Sequence, residues 1–262
     1  MKTFIDLPLL TCCLFFAGCQ TVPMTGRSQL MLSSESNEMA LGAQAFSEYK
    51  AKYPVSKNAA YNTALARVGQ AIKAAADKND YQWEFIVLES PEANAFCLPG
   101  GKVAVYSGLF AFTANEAELA VVVGHEVAHA LARHGGERAS WVTLQAIGLS
   151  ALKTRSESEL LAAAYGAATD VGVLLPFSRR DECEADLMGL TLMARAGYDP
   201  AAALTFWKKF GTSSLGTIEK FLSTHPGGDA RIADLQKAMP AAQAEYQKAA
   251  AKHGLGATIK SP

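Results

Sequence analysis

The sequence predicts an α+β fold, mostly helical, with a small sheet beside one buried central helix. Three observations carry this expectation. Apolar residues recur at helical spacing through most of the chain from Ser34 onward. The strand signals all fall between Trp83 and Tyr106. The run Leu119–Val123 is wholly apolar, so the helix that carries it has no face to offer to water.

Composition sets the frame. The 262 residues carry 24 Lys and Arg against 25 Asp and Glu, and half are apolar. Such a chain is neither disordered nor a small disulfide scaffold. It lacks the basic excess that phosphate neutralisation needs, so no nucleic-acid partner is expected. No internal repeat and no boundary follow residue 34, which predicts one domain over 35–262 ending in a helical tail.

The elements follow in order. Ser34–Tyr53 reads as a helix with a stripe of Ala40, Leu41, Ala45 and Phe46, and Lys57–Asp77 repeats the pattern with Leu65, Val68 and Ile72. Trp83–Leu88 is rich in β-formers. Ala93–Cys97 and Lys102–Tyr106 flank Pro99-Gly-Gly101, a hairpin signal. A long helix runs from about Asn115 to His134, with Thr113 and Glu116 at capping-box spacing. Further helices are expected over 141–153, 160–175, 181–196, 200–210, 218–222 and 229–251, with Pro176 as a break and Pro240 dividing or kinking the last.

The amino terminus reads as a short signal peptide over residues 1–18: Lys2, an apolar run from Leu7 to Ala17, then small residues. Its end, Phe16-Ala-Gly-Cys19, resembles a bacterial lipobox. That resemblance implies lipidation of Cys19, membrane attachment through the lipid, and residues 19–34 as a tether. Gln20 resembles the outer-membrane sorting pattern. Cys97 and Cys183 then remain in the mature chain. They fit no CxxC pattern, and geometry decides whether they bridge.

The chemistry is concentrated in His125-Glu-Val-Ala-His129. Residues four apart share a helix face, so both imidazoles can reach one ion. Glu126 lies about 100° round and can touch a water on that ion without being a ligand. Two imidazoles and a carboxylate suit Zn²⁺, and Glu126 suits the general base. Gly135 stands where a metzincin needs its third His, and His134 comes one position too early, reading as a solvated residue of the helix end. The third ligand is sought on a second helix, in Arg179-Arg-Asp-Glu182-Cys-Glu-Ala-Asp186. Glu182 and Asp186 share a face, so Glu182 can bind the ion while Asp186 orients a ligand histidine. Glu184 falls off that face and reads as neutral to the site.

Three motifs together, His125-Glu-Val-Ala-His129-Ala-Leu-Ala-Arg-His134, Phe177-Ser-Arg-Arg-Asp-Glu182-Cys-Glu-Ala-Asp186-Leu-Met-Gly189 and Thr224-His225-Pro-Gly-Gly-Asp-Ala-Arg231-Ile, resemble a zinc metallopeptidase family. That family includes HtpX, the CAAX prenyl endopeptidases and the envelope lipoproteins BepA, LoiP and YcaL. The run from Ala93 to Leu109 also matches, and the lipoprotein branch is the nearest in pattern. The resemblance implies a gluzincin fold whose edge strand, at Asn94, Ala95 and Phe96, pairs with an extended substrate. It implies one Zn²⁺ on His125, His129 and Glu182, Glu126 as base, and Asp186 as orienting or proton-donating group. His225 matches a residue that either blocks the metal in a latent state or steadies the oxyanion; a plain loop His is the third reading.

The expected function is therefore a zinc endopeptidase, lipid-anchored on the periplasmic face of the outer membrane in a bacterial cell envelope. Its expected partners are misfolded or stalled envelope proteins. A non-hydrolytic chaperone or assembly factor on the same scaffold is the alternative. A structural lipoprotein is a third reading, but it has no use for Glu126 beside the ligands.

Overall fold

The computed structural model describes residues 18–155, 175–211, 225 and 229–259. All of the expected signal peptide but Gly18 lies outside these residues, as do the helix expected over 218–222 and nearly all of that expected over 160–175.

Part of residues 19–34, the stretch expected as a tether, is folded against the domain. β1 (Cys19–Thr21) pairs antiparallel with β2 (Ser28–Leu30). Val22, Gln29 and Met31 of this hairpin are buried. Arg133 fastens it from below, donating to the Gln20 side chain and to Ser33 O. A stretch this short and polar has no periodicity to read, so its docking shows only in tertiary contacts.

Two capped helices follow. α1 (Glu35–Lys52) starts at Ser34, whose hydroxyl accepts from Asn37 N; acids in the first turn and lysines in the last suit the helix dipole. α2 (Ala59–Ala76) starts at Asn58, whose side chain accepts from Ala60 N and Tyr61 N, and buries Leu65, Val68 and Ile72. The sheet then forms from β3 (Glu84–Leu88), β4 (Ala95–Leu98) and β5 (Lys102–Tyr106). β5 is central, parallel to β3 and antiparallel to β4, so β4 is an edge. Gly100 (φ 85°) and Gly101 (φ 78°) make the β4–β5 turn, a conformation that costs a side-chain-bearing residue.

The central helix, α3 (Glu116–Leu131), buries every residue except His129. Leu119, Val122, Val123 and Val127 are wholly inaccessible, and each side chain so buried contributes roughly 1.5–3 kcal/mol. Its cap is Asn115, which accepts from Glu118 N, rather than Thr113. Glu116 is drawn away from the expected box by Arg67 and by Ala257 N.

The expected continuation to His134 does not occur. Arg133 takes a left-handed conformation (φ 57°), paired with Glu38, and α4 (His134–Arg155) sets off from there. α5 (Leu175–Arg195) begins a turn and a half ahead of the expected start. Pro176 sits in its first turn, where a missing N–H is harmless. α6 (Ala201–Gly211) is short. α7 (Asp229–Lys248) is one helix with Pro240 inside it. α3 packs chiefly on α5, with α2, α6, β4 and β5 also against it. Among the described residues no helix is long and apolar enough to cross a membrane.

Candidate metal centre

The site forms where α3 crosses α5, and two glycines set how closely they cross. A Cβ on Gly189 would lie 2.8 Å from His125 N, and one on Gly124 would lie 3.0 Å from Gly189 O. With hydrogens there instead, Glu182, two turns before Gly189, faces His125 and His129. Their Nε2 atoms are 3.1 Å apart. Glu182 Oε1 lies 3.2 Å from His129 Nε2, and Oε2 lies 3.4 Å from His125 Nε2. His225 joins them: its Nδ1 is 3.2 Å from His125 Nε2 and 3.1 Å from Glu182 Oε2.

These four residues offer ligand atoms all within 4.8 Å of one another. Two imidazole nitrogens and a carboxylate converging in a buried place form a donor set that fits a borderline-soft divalent ion. Glu126 stands beside them. Its Oε1 is buried without a hydrogen-bond partner among the described residues, 3.5 Å from His225 Nε2. Burial pushes its carboxyl above the usual range.

The two histidines of α3 have unlike neighbours. His125 Nδ1 lies 2.9 Å from Asp186 Oδ1. Arg231 Nε donates to Asp186 Oδ2 (2.6 Å), and its Nη2 donates to Glu182 Oε2 (2.9 Å). The guanidinium lies 4.0 Å over the ring of Trp207, which stands edge-on to His125. Burial works against a charged His125, but Asp186 and Glu182 outweigh it and raise the imidazole to about 9. His129 Nδ1 instead meets His134 Nδ1 at 2.8 Å. Burial, with His125 and His134 adding to it, pushes His129 down to about 3. Burial also opposes an ionised Glu182, yet its contacts with the three histidines hold it well below the usual carboxylate range.

The structure thus brings His125, Glu126, His129, Glu182, Asp186 and His225 to one place. Asn94, Ala95 and Phe96 lie at the start of edge strand β4, which packs on α3. Phe96 turns to Tyr49, and the Ala95 amide is already engaged by Asn94 Oδ1. Cys19 opens β1 and is exposed. Cys97 and Cys183 are not joined; Cys97 is partly buried and Cys183 exposed.

Two expectations fail here. His134 is not a solvated end residue: it is buried and bonded to His129 and, through Nε2, to Glu184 Oε2 at 3.0 Å. Spacing along a continuous helix placed it on another face, but the break at Arg133 turns it back. Glu184 is likewise buried, bridging His134 and Arg27. Arg231 carried a signal, since it lies inside the third motif, but nothing in its spacing tied it to Glu182.

The sequence profile of peptidase family M48 matches residues 59–239. The mitochondrial metalloendopeptidase OMA1 of Schizosaccharomyces pombe is 32% identical over 244 residues, covering 91% of this chain and 72% of that protein. OMA1 of Arabidopsis thaliana is 40% identical over 152 residues, covering 57% of this chain and 30% of its own. The β-barrel assembly-enhancing protease of Escherichia coli is 29% identical over 231 residues, covering 84% and 47%. Apart from the fission-yeast protein, the chain spans about half or less of these relatives. The matches overturn the expected bacterial outer-membrane location and the assignment to a lipoprotein branch. The relatives from fission yeast, Arabidopsis, cattle and budding yeast are all named as mitochondrial endopeptidases.

Proposed function

This chain belongs to peptidase family M48 and is a metalloendopeptidase; from that premise we propose that its metal is zinc and that it cuts extended segments of misfolded or stalled proteins. His125, His129 and Glu182 would hold the ion, which when bound polarises the scissile carbonyl and acidifies a water. The observation that carries this reading is Glu126. Its buried Oε1, which accepts no hydrogen bond among the described residues, stands beside the converging donors, where a structural site needs no acid. Burial favours its protonated form, which suits a group that takes a proton from water and returns it to the leaving amine. Asp186 and Arg231 hold His125 and Glu182 in place. The outer side of β4 offers backbone pairing to an extended chain, which a folded protein does not present.

Casein, which is largely unfolded, tests this. The protein should cleave it, lose that activity to a zinc chelator, and regain it when one equivalent of zinc is returned. Cleavage that survives full chelation sinks the assignment.

His225 supports a second feature, a self-blocked resting state. Its Nδ1 lies among the ligand atoms, 3.1 Å from Glu182 and 3.2 Å from His125. His225→Phe should then raise basal casein cleavage. A fall of ~10²-fold instead would make it an oxyanion donor.

A further inference from the structure

The N-terminal hairpin lies outside the residues that the family profile matches, yet two of its side chains reach the back of the metal centre. Arg27 Nε donates to Glu184 Oε2 (2.8 Å), and its Nη2 pairs with Glu137 Oε2 (2.8 Å). The Thr25 hydroxyl donates to the other oxygen of Glu184. Arg180 closes the far side, donating to Glu137 and to Asp181, each at 3.0 Å. His134, Glu137 and Glu184 are all buried.

Hydrogen positions along this chain of contacts are dictated. If His129 offers Nε2 to the ion, its own hydrogen sits on Nδ1. That hydrogen faces His134 Nδ1, which must then accept. His134 accordingly carries its hydrogen on Nε2, aimed at Glu184 Oε2. Glu184, pinned as a carboxylate by Arg27, accepts it and cannot give it back. Without that acceptor His134 is released to the other tautomer, with its hydrogen on Nδ1. It would then donate to His129 Nδ1, driving the His129 hydrogen onto Nε2 and covering the lone pair the metal needs.

We infer that the N-terminal hairpin is a working part of the metal centre: through Arg27, Glu184 and His134 it fixes His129 in the metal-binding tautomer. Arg27, Glu184 and His134 are thus positioning residues. The inference rests on His129 being a ligand, as proposed above. A different use of the same cluster, a second metal on His134, Asp181 and Glu184, competes with it. The charges disfavour that use. Arg27 and Arg180 already neutralise the acids, and both nitrogens of His134 are engaged.

The test uses the full chain, stripped of metal, with zinc affinity measured by competition against a chromophoric chelator. Glu184→Gln should weaken zinc binding by ~10–100-fold, as for loss of a ligand's supporting partner. Arg27→Gln should weaken it less, Arg27→Lys should restore part of the loss, and the double variant with Glu184→Gln should be no weaker than Glu184→Gln alone. Nitrogen-15 spectra of the metal-free protein should show more of the Nδ1–H tautomer of His129 in wild type than in Glu184→Gln, with Glu182 Oε1, 3.2 Å from Nε2, favouring the other tautomer equally in both. One zinc per wild-type chain, with variants binding equally tightly but melting earlier, makes the hairpin a structural clasp and overturns the inference alone. Two zinc ions per chain overturn it in favour of the second site. A wild type that binds no zinc removes the functional reading as well.

Discussion

His125 and His129 sit one turn apart on the same helix and are held in opposite ways. His125 faces a carboxylate, Asp186, which is locked by Arg231 against Trp207. His129 faces another imidazole, His134, and a carboxylate stands only behind that. The first arm is built wholly from α5, α6 and α7. The second draws on the helix break at Arg133 and on a hairpin more than 90 residues upstream. The consequence is electrostatic: one imidazole is raised to about 9 and the other lowered to about 3. Spacing on a helix decides which residues can meet an ion. What stands behind each one decides its proton.

The largest expected effect leaves both arms intact. Glu126→Ala removes the proposed base and none of the proposed ligands, so turnover of casein should fall by ~10²–10⁴-fold while one zinc per chain is retained. Turnover near wild type would remove Glu126 from the mechanism. The next effect cuts the direct arm. Asp186→Asn keeps the shape but takes away the charge facing His125 Nδ1, and zinc affinity should fall by ~10–100-fold. Because Asp186 touches the ligand and Glu184 acts through His134, Asp186→Asn should weaken zinc more than Glu184→Gln does. The reverse ranking would mean that the relayed arm is the stronger support.

Much of this site could be read from the chain, and the unread parts share one cause. His125, Glu126 and His129 follow from helix geometry alone, and Glu182 with Asp186 follow from the same rule on a second helix. The strands around Gly100-Gly101 are likewise local signals. His134 reads as solvated only on a helix that runs on past Leu131, and nothing local marks Arg133 for a left-handed turn. That turn depends on Glu38, 95 residues away. Arg27, Glu184 and the hairpin were missed for the same reason: an ion pair across 157 residues leaves no period in the sequence. The location inferred from Cys19 rested on a four-residue likeness, and 244 residues of similarity to a mitochondrial relative outweigh it.

The smallest expected effect separates the arms by pH in metal-free protein. His125 has a folded value of about 9 against an ordinary 6.5, so folding there takes up a proton. Its contribution is complete below about 6.5 and is lost as pH rises through about 9. His129, about 3 against 6.5, works in the other direction: the unfolded chain binds a proton that the folded chain refuses, so stability falls as pH drops from about 6.5 towards 3. Glu184 adds to that acid limb. Burial opposes its charge, but His134, Thr25 and Arg27 together hold it at about 2 against 4.5, so its contribution is present above about 4.5 and is lost as pH falls towards 2. Thermal melts between pH 3 and 10 should therefore peak near neutrality and fall on both sides. Each 1 kcal/mol lost should appear as a shift of about 2–4 °C. Asp186→Asn should pull the alkaline limb to lower pH, because Glu182 alone then raises His125, and should leave the acid limb in place. Glu184→Gln should do the converse, flattening the fall below pH 4.5 while the alkaline limb stays. If either variant moves both limbs equally, the two arms are one coupled network, and the distinction between the two histidines does not hold.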